Sequence, residues 1–185
     1  YTNNESWTTF EGPVPGTSGT HAVEDVGGGD YQFHFTSTYY GDPVYAGWSG
    51  AFVDYETVDQ GIEGWVNTSP TQQNGWGSLA LLRYSTGSGF GKGYGLAIAH
   101  NANDRVTATL YYLNELESGP LTSEETVLDS YDDVWFRFMA TGTDADTRLR
   151  AKVWADETGV SEPGEWLFDI TPSTPIFNSG SGGLG

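Results

Sequence analysis

The chain contains no cysteine, and this absence excludes several kinds of chemistry together. Without thiols there are no disulfide bonds, no thiolate nucleophile and no zinc site built on cysteine. Lysine is almost as scarce, since only Lys92 and Lys152 occur in 185 residues. The sequence also lacks a run of the ~20 apolar residues that a membrane-spanning helix needs, so we expect no membrane insertion.

Positive charge is scarce throughout, because seven Lys and Arg face 25 Asp and Glu, for a formal net charge of −18. Nucleic acid binding depends on neutralising phosphates with Lys and Arg, so we expect no nucleic-acid partner. The acids are spread from Glu5 to Asp169. Dispersed acidity suits a folded protein in strong salt, where a Debye length of ~3 Å screens self-repulsion. We expect a halophilic source, with an ordinary acidic secreted protein as the alternative.

Glycine and proline are plentiful, at 26 and eight residues, and they separate short segments of alternating polarity. Helical periodicity is nearly absent, which indicates strands joined by turns. Strands are predicted at 31–36, 45–53, 61–67, 78–84, 94–100, 105–113, 134–141, 148–154 and 166–170. Segment 115–128 fits either a strand or a helical turn near 122–127. About nine to twelve strands predict two packed sheets in a single domain, residues 1–185, which we expect to be excised from a longer protein.

The clearest local unit is a hairpin of residues 134–140 and 148–154 around a turn at 142–146. Alternation places one set of side chains in the core: Val134, Phe136, Phe138, Leu149, Ala151 and Val153. The opposite face carries the other set: Trp135, Arg137, Arg148, Arg150, Lys152 and Trp154. Four of the seven basic residues therefore share one sheet face.

These segments resemble the laminin-G-like jelly-roll domains of the concanavalin A-like lectin and glucanase superfamily. The resemblance covers about residues 76–185 and rests on Leu82-Arg83-Tyr84, Gly93-Tyr94-Gly95-Leu96, Trp135-x-Arg137-Phe138, Gly142, Leu149-Arg150-Ala151-Lys152-x-Trp154, Glu162-Pro163-x-x-Trp166 and Gly183-Leu184. It implies an all-β, two-sheet antiparallel jelly-roll sandwich, commonly used for glycan or protein binding and attachment. It supplies no universal ligand residues.

Catalysis is not expected from the motifs present. Retaining glucanases on this fold resemble one another in a Glu-x-Asp-x-(x)-Glu strand, which sets two carboxylates ~5.5 Å apart. The nearest match is Asp54-Tyr55-Glu56, where Phe52 occupies the position of the leading carboxylate. The Gly-x-Ser-x-Gly elbow of serine hydrolases is also missing. These departures predict a non-catalytic binding module.

Two surfaces are candidates for ligand binding. One is an aromatic loop with Tyr39, Tyr40, Tyr45 and Trp48, followed by Trp65 and Trp76, because sugar C–H faces stack on aromatic rings. The alternative is that Trp48, like Trp65 and Trp76, packs in the core or at an edge.

The second candidate is the polar face of the hairpin, with Trp135, Arg137, Arg150, Lys152 and Trp154. Guanidinium forks there could pair with carboxylated or sulfated glycans. In the alternative, these cations pair with neighbouring Asp and Glu or cover the sheet with their aliphatic stems.

A weak metal signal lies in the hairpin turn, where Asp144 and Asp146 could hold Ca²⁺ with carboxylate oxygens. The alternative is that they are ordinary turn residues.

Together these observations predict an extracellular, cell-surface or virion module that attaches to a surface glycan or glycoprotein. A structural or decoration domain is the alternative, with neighbouring subunits of a virion or fibre as its partners. A polysaccharide-degrading enzyme is the second alternative.

Overall fold

Strands make up nearly all of the regular structure in the computed structural model, which describes residues 7–11, 19–27, 30–37, 49–53, 58–67, 77–85, 91–101, 103, 105–114, 117–129, 133–173 and 176–184. The strands are β1 (Trp7–Glu11), β2 (Gly19–Gly27), β3 (Asp30–Ser37), β4 (Ser49–Val53), β5 (Gln60–Asn67), β6 (Gly77–Ser85), β7 (Lys92–His100), β8 (Arg105–Asn114), β9 (Glu117–Asp129), β10 (Asp133–Thr141), β11 (Arg148–Ala155), β12 (Phe168–Ile170) and β13 (Ser181–Leu184). One 3-10 turn, Asp144–Asp146, joins β10 to β11. Within these ranges, no helix is long and apolar enough to cross a membrane.

The strands form two larger antiparallel sheets and a separate two-stranded ribbon. The larger sheet has the order β1-β4-β13-β6-β7-β8-β9, and the smaller has the order β12-β11-β10-β5. Strands β2 and β3 pair with each other. The predicted all-β, two-sheet antiparallel jelly-roll sandwich is confirmed.

The hydrophobic core lies between the two larger sheets and follows the alternation of their strands. Phe136 and Phe138 are 2% and 0% exposed, as their places on the core face of β10 predict. Val153 is partly buried against the same cluster. The buried members are Val134, Phe136, Phe138, Ala140, Leu149, Ala151 and Phe168 from the smaller sheet, and Ala80, Leu82, Tyr94, Leu96, Ile98, Val106, Ala108 and Leu110 from the larger one.

Four strands differ from the sequence prediction, and two of them, β1 and β2, form in segments where no strand is predicted. Segment 115–128 is extended over Glu117–Asp129, which decides between the strand and the helical turn in favour of the strand. The Gly-rich end of the chain forms β13 at Ser181–Leu184, where alternation predicts no strand. Because β13 pairs with both β4 and β6, hydrogen bonding on two sides outweighs the low strand propensity of glycine.

A buried arginine ties together one end of the sandwich. The backbone of Arg83 has a φ of 52°, and β6 changes register against β7 between Leu82 and Ser85. This bulge coincides with complete burial of the Arg83 side chain, which is 0% exposed. Desolvation by burial lowers the pKa of Arg83. A side chain in such a position needs acceptors from the protein itself.

The acceptors for Arg83 are supplied by three separate loops. Its Nε and Nη2 donate to the carbonyl oxygen of Val58, at 3.0 and 2.6 Å. Nη2 also donates to the Gly142 carbonyl at 2.5 Å. Nη1 donates to the Phe177 carbonyl at 2.7 Å and to Thr147 Oγ1 at 3.3 Å. The guanidinium therefore hydrogen-bonds to three segments at once: the residues just before β5, the β10–β11 turn and the residues before β13.

Candidate functional site

The outward face of the smaller sheet carries the side chains that alternate with the core residues. On β10, Trp135, Arg137 and Met139 lie between buried neighbours and are partly exposed. Residues directly opposite each other in an antiparallel pair share a face, so the register of β5, β10, β11 and β12 fixes which side chains meet. Three cross-strand rows result.

The first row is made of tryptophans. Trp135 lies opposite Trp65 on β5 and opposite Trp154 on β11. The rings of Trp135 and Trp154 are nearly parallel, with an interplanar angle of 13° and centroids 6.3 Å apart. Trp65 is 42% exposed, one of the large hydrophobic side chains that the protein presents to solvent. We call Trp65, Trp135 and Trp154 the tryptophan row.

The second row is a network of charges. Arg137 lies opposite Glu63 and Lys152. Its Nε donates to Glu63 Oε2 at 2.6 Å, and its Nη1 donates to Glu162 Oε1 at 2.7 Å. The hydrogen bond with Glu63 is the main cause that raises the pKa of Arg137. Lys152 Nζ forms an ion pair with the same oxygen of Glu162.

The connection between β11 and β12, residues 156–167, folds over this second row. Lys152 Nζ donates to the carbonyl oxygen of Pro163 at 2.8 Å and lies 4.5 Å from the ring centroid of Trp166. Lys152 is consequently only 6% exposed. The hydrogen bond from Lys152 is the main cause that lowers the pKa of Glu162. The connection is thus fixed to the sheet through Glu162, Pro163 and Trp166.

Arg150 occupies the third row, opposite Met139 and Asp169. Asp169 forms its ion pair with Arg148: the arginine Nη2 donates to Asp169 Oδ2 at 2.5 Å, and the arginine Nε donates to Oδ1. The guanidinium carbon of Arg150 lies 5.1 Å from the ring centroid of Trp166. Arg150 Nε is buried with no acceptor among the described residues.

The structure brings the five predicted hairpin residues, Trp135, Arg137, Arg150, Lys152 and Trp154, onto one face. For Arg137 and Lys152 it favours the alternative in which the cations pair with acids, because both contact Glu162. Their role in ligand binding stays a prediction. The aromatic-loop candidates, Tyr39, Tyr40, Tyr45 and Trp48, lie outside the described residues.

The sequence arguments did not assign four contributors to this face: Glu63, Trp65, Glu162 and Trp166. Alternation in β5 contains a signal for two of them, since Ile62 and Val66 pack against the core and Glu63 and Trp65 must then point outward. Glu162 and Trp166 belong to an irregular connection, where no periodicity indicates which way a side chain points.

The turn that carries Asp144 and Asp146 has a structural role. Asp144 has a φ of 49°, and its N–H donates to Asn178 Oδ1 at 2.8 Å. The Asn178 Nδ2 donates back to Asp144 Oδ1 at 2.8 Å. In the described part of the chain, no group of three or more His, Asp or Glu is placed to hold a metal ion. The Ca²⁺ site stays an untested prediction, and the observed contacts are those of a turn.

Comparison with known proteins agrees with this architecture. No protein-family profile and no curated protein matches the chain. Among solved structures, the chain is similar to carbohydrate binding module CBM66 from Bacillus subtilis, with a TM-score of 0.58 and 17% identity, covering 100% of this chain and 89% of that chain. At this identity the likeness concerns the fold: both are β-sandwiches of the jelly-roll class.

Proposed function

We propose that this chain is a non-catalytic carbohydrate-binding module, and that the tryptophan row is its glycan platform. The observation that carries the proposal is the alignment of Trp65, Trp135 and Trp154 on three adjacent strands, with Trp65 42% exposed. Adjacent strands are ~4.8 Å apart, so the row extends ~10 Å across the sheet. Aromatic surfaces of this kind stack on the C–H faces of sugar rings.

The charges beside the row support binding without catalysis. A general acid in a glycosidase needs a raised carboxyl pKa, whereas the pKa values of Glu162 and Asp169 are lowered by their bonds to Lys152 and Arg148. Glu63 bonds to Arg137. The similar solved structure is itself named a carbohydrate binding module, which supports the same class of function.

The wider setting is part of the same proposal, and the fold and the charge support it. We propose a laminin-G-like domain, residues 1–185, that acts outside the cell or on a virion and attaches to a surface glycan or glycoprotein. Should the tryptophan row instead contact neighbouring subunits, the protein would associate with itself or its assembly and would not bind sugar.

The decisive experiment compares the protein with the double variant Trp135→Ala/Trp154→Ala. The matched control is Val160→Ala, which changes an exposed apolar residue, 46% exposed, in the nearby connection. Binding to a panel of soluble polysaccharides, measured by affinity electrophoresis and calorimetry, should fall by about tenfold or more in the double variant, because central aromatic residues dominate binding energies. The control should bind normally.

Unchanged glycan affinity in the double variant would contradict the platform. Absence of glycan binding by the unmodified protein, together with self-association that the double variant abolishes, would favour the alternative with neighbouring subunits. Analytical ultracentrifugation of the same samples measures that association.

A halophilic source makes a separate prediction. With a net charge of −18, the folded chain repels itself unless salt screens its carboxylates. Melting in 0.1 M and in 3 M KCl should differ, and a gain of about 2 kcal/mol would raise Tm by about 4–8 °C in a chain of this size. An equal Tm at both salt concentrations would contradict the halophilic source and favour the alternative, an ordinary acidic secreted protein.

A further inference from the structure

The cations on the outer face of the smaller sheet differ in whether they pair with an acidic side chain. Arg137 bonds to Glu63 and Glu162, Lys152 bonds to Glu162, and Arg148 bonds to Asp169. Arg150 forms no ion pair with any described carboxylate. Its charge helps to lower the pKa of Asp169, but no described carboxylate bonds to it, so its hydrogen-bond donors are open to a ligand.

The contact of Arg150 with Trp166 leaves its hydrogen-bond donors unused. A guanidinium near an indole face interacts through the π surface, whereas its N–H groups point outward in its own plane. The Nε group is buried and has no acceptor among the residues described. Because Nε is buried, a ligand oxygen would bond to the two Nη groups of this partly exposed side chain and not to Nε.

The neighbouring acid is prevented from filling this position. Asp169 is the cross-strand partner of Arg150, but both of its oxygens accept from Arg148. Asp169 lies close enough for the charge of Arg150 to help lower its pKa, but its oxygens bond to Arg148 and not to Arg150. Anion binding at Arg150 depends on that pairing as much as on Arg150 itself.

Arg150 also lies close enough to the tryptophan row for one glycan to contact both. Arg150, Lys152 and Trp154 alternate along the outward face of β11, so Arg150 and Trp154 are separated by four residues, or ~13 Å of strand. Lys152, between them, is covered by Trp166 and Pro163. A glycan that stacks on Trp154 would pass beside the connection 156–167 to bring a later sugar to Arg150.

We propose that Arg150, beside Trp166, binds the carboxylate of an acidic sugar and makes the tryptophan row selective for glycans that contain uronic acid. This inference rests on the proposed glycan-binding function. The planar fork of arginine matches the two oxygens of a carboxylate, and such charge-assisted pairs are among the strongest hydrogen bonds in proteins.

The test uses two ligands with the same sugar backbone: oligogalacturonate, whose carboxyl groups are charged, and its fully methyl-esterified form, whose carboxyl groups are neutral. The unmodified protein should bind the acidic oligomer about tenfold more tightly than the ester. Arg150→Gln should remove that preference and leave the affinity for the ester unchanged. Arg148→Gln should weaken the preference as well, because Asp169 then becomes free to pair with Arg150. Melting midpoints verify that each variant is folded.

The outcomes separate this inference from the proposed function. If Trp135→Ala/Trp154→Ala loses both ligands but Arg150→Gln binds acid and ester as the unmodified protein does, the platform stands and the carboxylate site is wrong. The site is also overturned if the unmodified protein binds neither oligomer, or prefers neither. A sulfated galactan that binds in an Arg150-dependent manner, when oligogalacturonate does not, would overturn the carboxylate in favour of sulfate.

Discussion

Arg83 and Arg150 show two opposite uses of the same side chain. Arg83 is enclosed at the end of the sandwich, and its donors end on the backbone of Val58, Gly142 and Phe177. Arg150 lies on the outer face against Trp166, with a buried Nε that meets no described acceptor. The burial of a single donor atom therefore does not distinguish a structural arginine from one that is available to a ligand. The two arginines differ in whether their N–H groups already donate hydrogen bonds to acceptors of the protein.

The two arginines should also differ in what their removal does to the free energy of unfolding. Removing Arg83 takes the donor from three carbonyl oxygens in part-buried hydrogen bonds, whereas removing Arg150 takes away a cation that bonds to no described carboxylate. Each buried group left unsatisfied costs about 1–3 kcal/mol. The two arginines should thus respond very differently to substitution.

The largest effect is expected for Arg83→Met, which should lower the free energy of unfolding by about 3–5 kcal/mol. Urea denaturation measures it, with Arg150→Met as the matched control at about 0.5–1 kcal/mol, the worth of an exposed cation–π contact. Equal losses in the two variants would break the contrast between the two arginines. A second variant, Arg83→Lys, keeps the charge but loses the planar fork of donors. Its free energy of unfolding should lie between those of Arg83→Met and the unmodified protein.

A smaller and local effect is expected for Glu162→Gln, which weakens the attachment of the connection 156–167 to Arg137 and Lys152. Amide hydrogen exchange in that connection should become faster at pH 7. Because the pKa of Glu162 is lowered in the folded protein, its contribution is complete above about pH 4.3 and is lost as the pH falls through the lower folded value. The variant and the unmodified protein should therefore converge in acid.

The control for that measurement is Glu157→Gln, an exposed acid in the same connection. Equal acceleration in both variants would mean that the loss of any acid loosens the connection. A difference between Glu162→Gln and the unmodified protein that persists unchanged at the lowest pH would contradict the assigned ion pairs.

Alternation was sufficient to predict the β10–β11 hairpin and its two faces. The pattern repeats every two residues, so a buried Phe136 and Phe138 require Arg137 to point outward, and the short turn fixes the register. The tryptophan row needed more information. Trp65 reaches Trp135 only because β5 pairs with β10, a contact between distant parts of the chain that local pattern does not specify.

Arg83 illustrates what the sequence could not predict. In β6 it stands between two apolar residues, Leu82 and Tyr84, where alternation would place its charge in solvent. The left-handed backbone and the register shift place it in the interior, and the acceptors come from loops far away in sequence. The pairing of Glu162 is similar, because it depends on the path of an irregular connection.

The alternation on β10 has a consequence for how this protein could change. Its inward side chains, Val134, Phe136, Phe138 and Ala140, hold the sandwich together, while the outward ones contact the surface rows. Successive side chains of a strand point to opposite faces of the sheet, so a change on the outward face leaves the core contacts in place. Recognition could therefore diversify, by evolution or in the laboratory, at outward positions such as Met139 while the fold is inherited unchanged. A library randomised at outward positions of β5, β10 and β11 would sample new ligands on one scaffold.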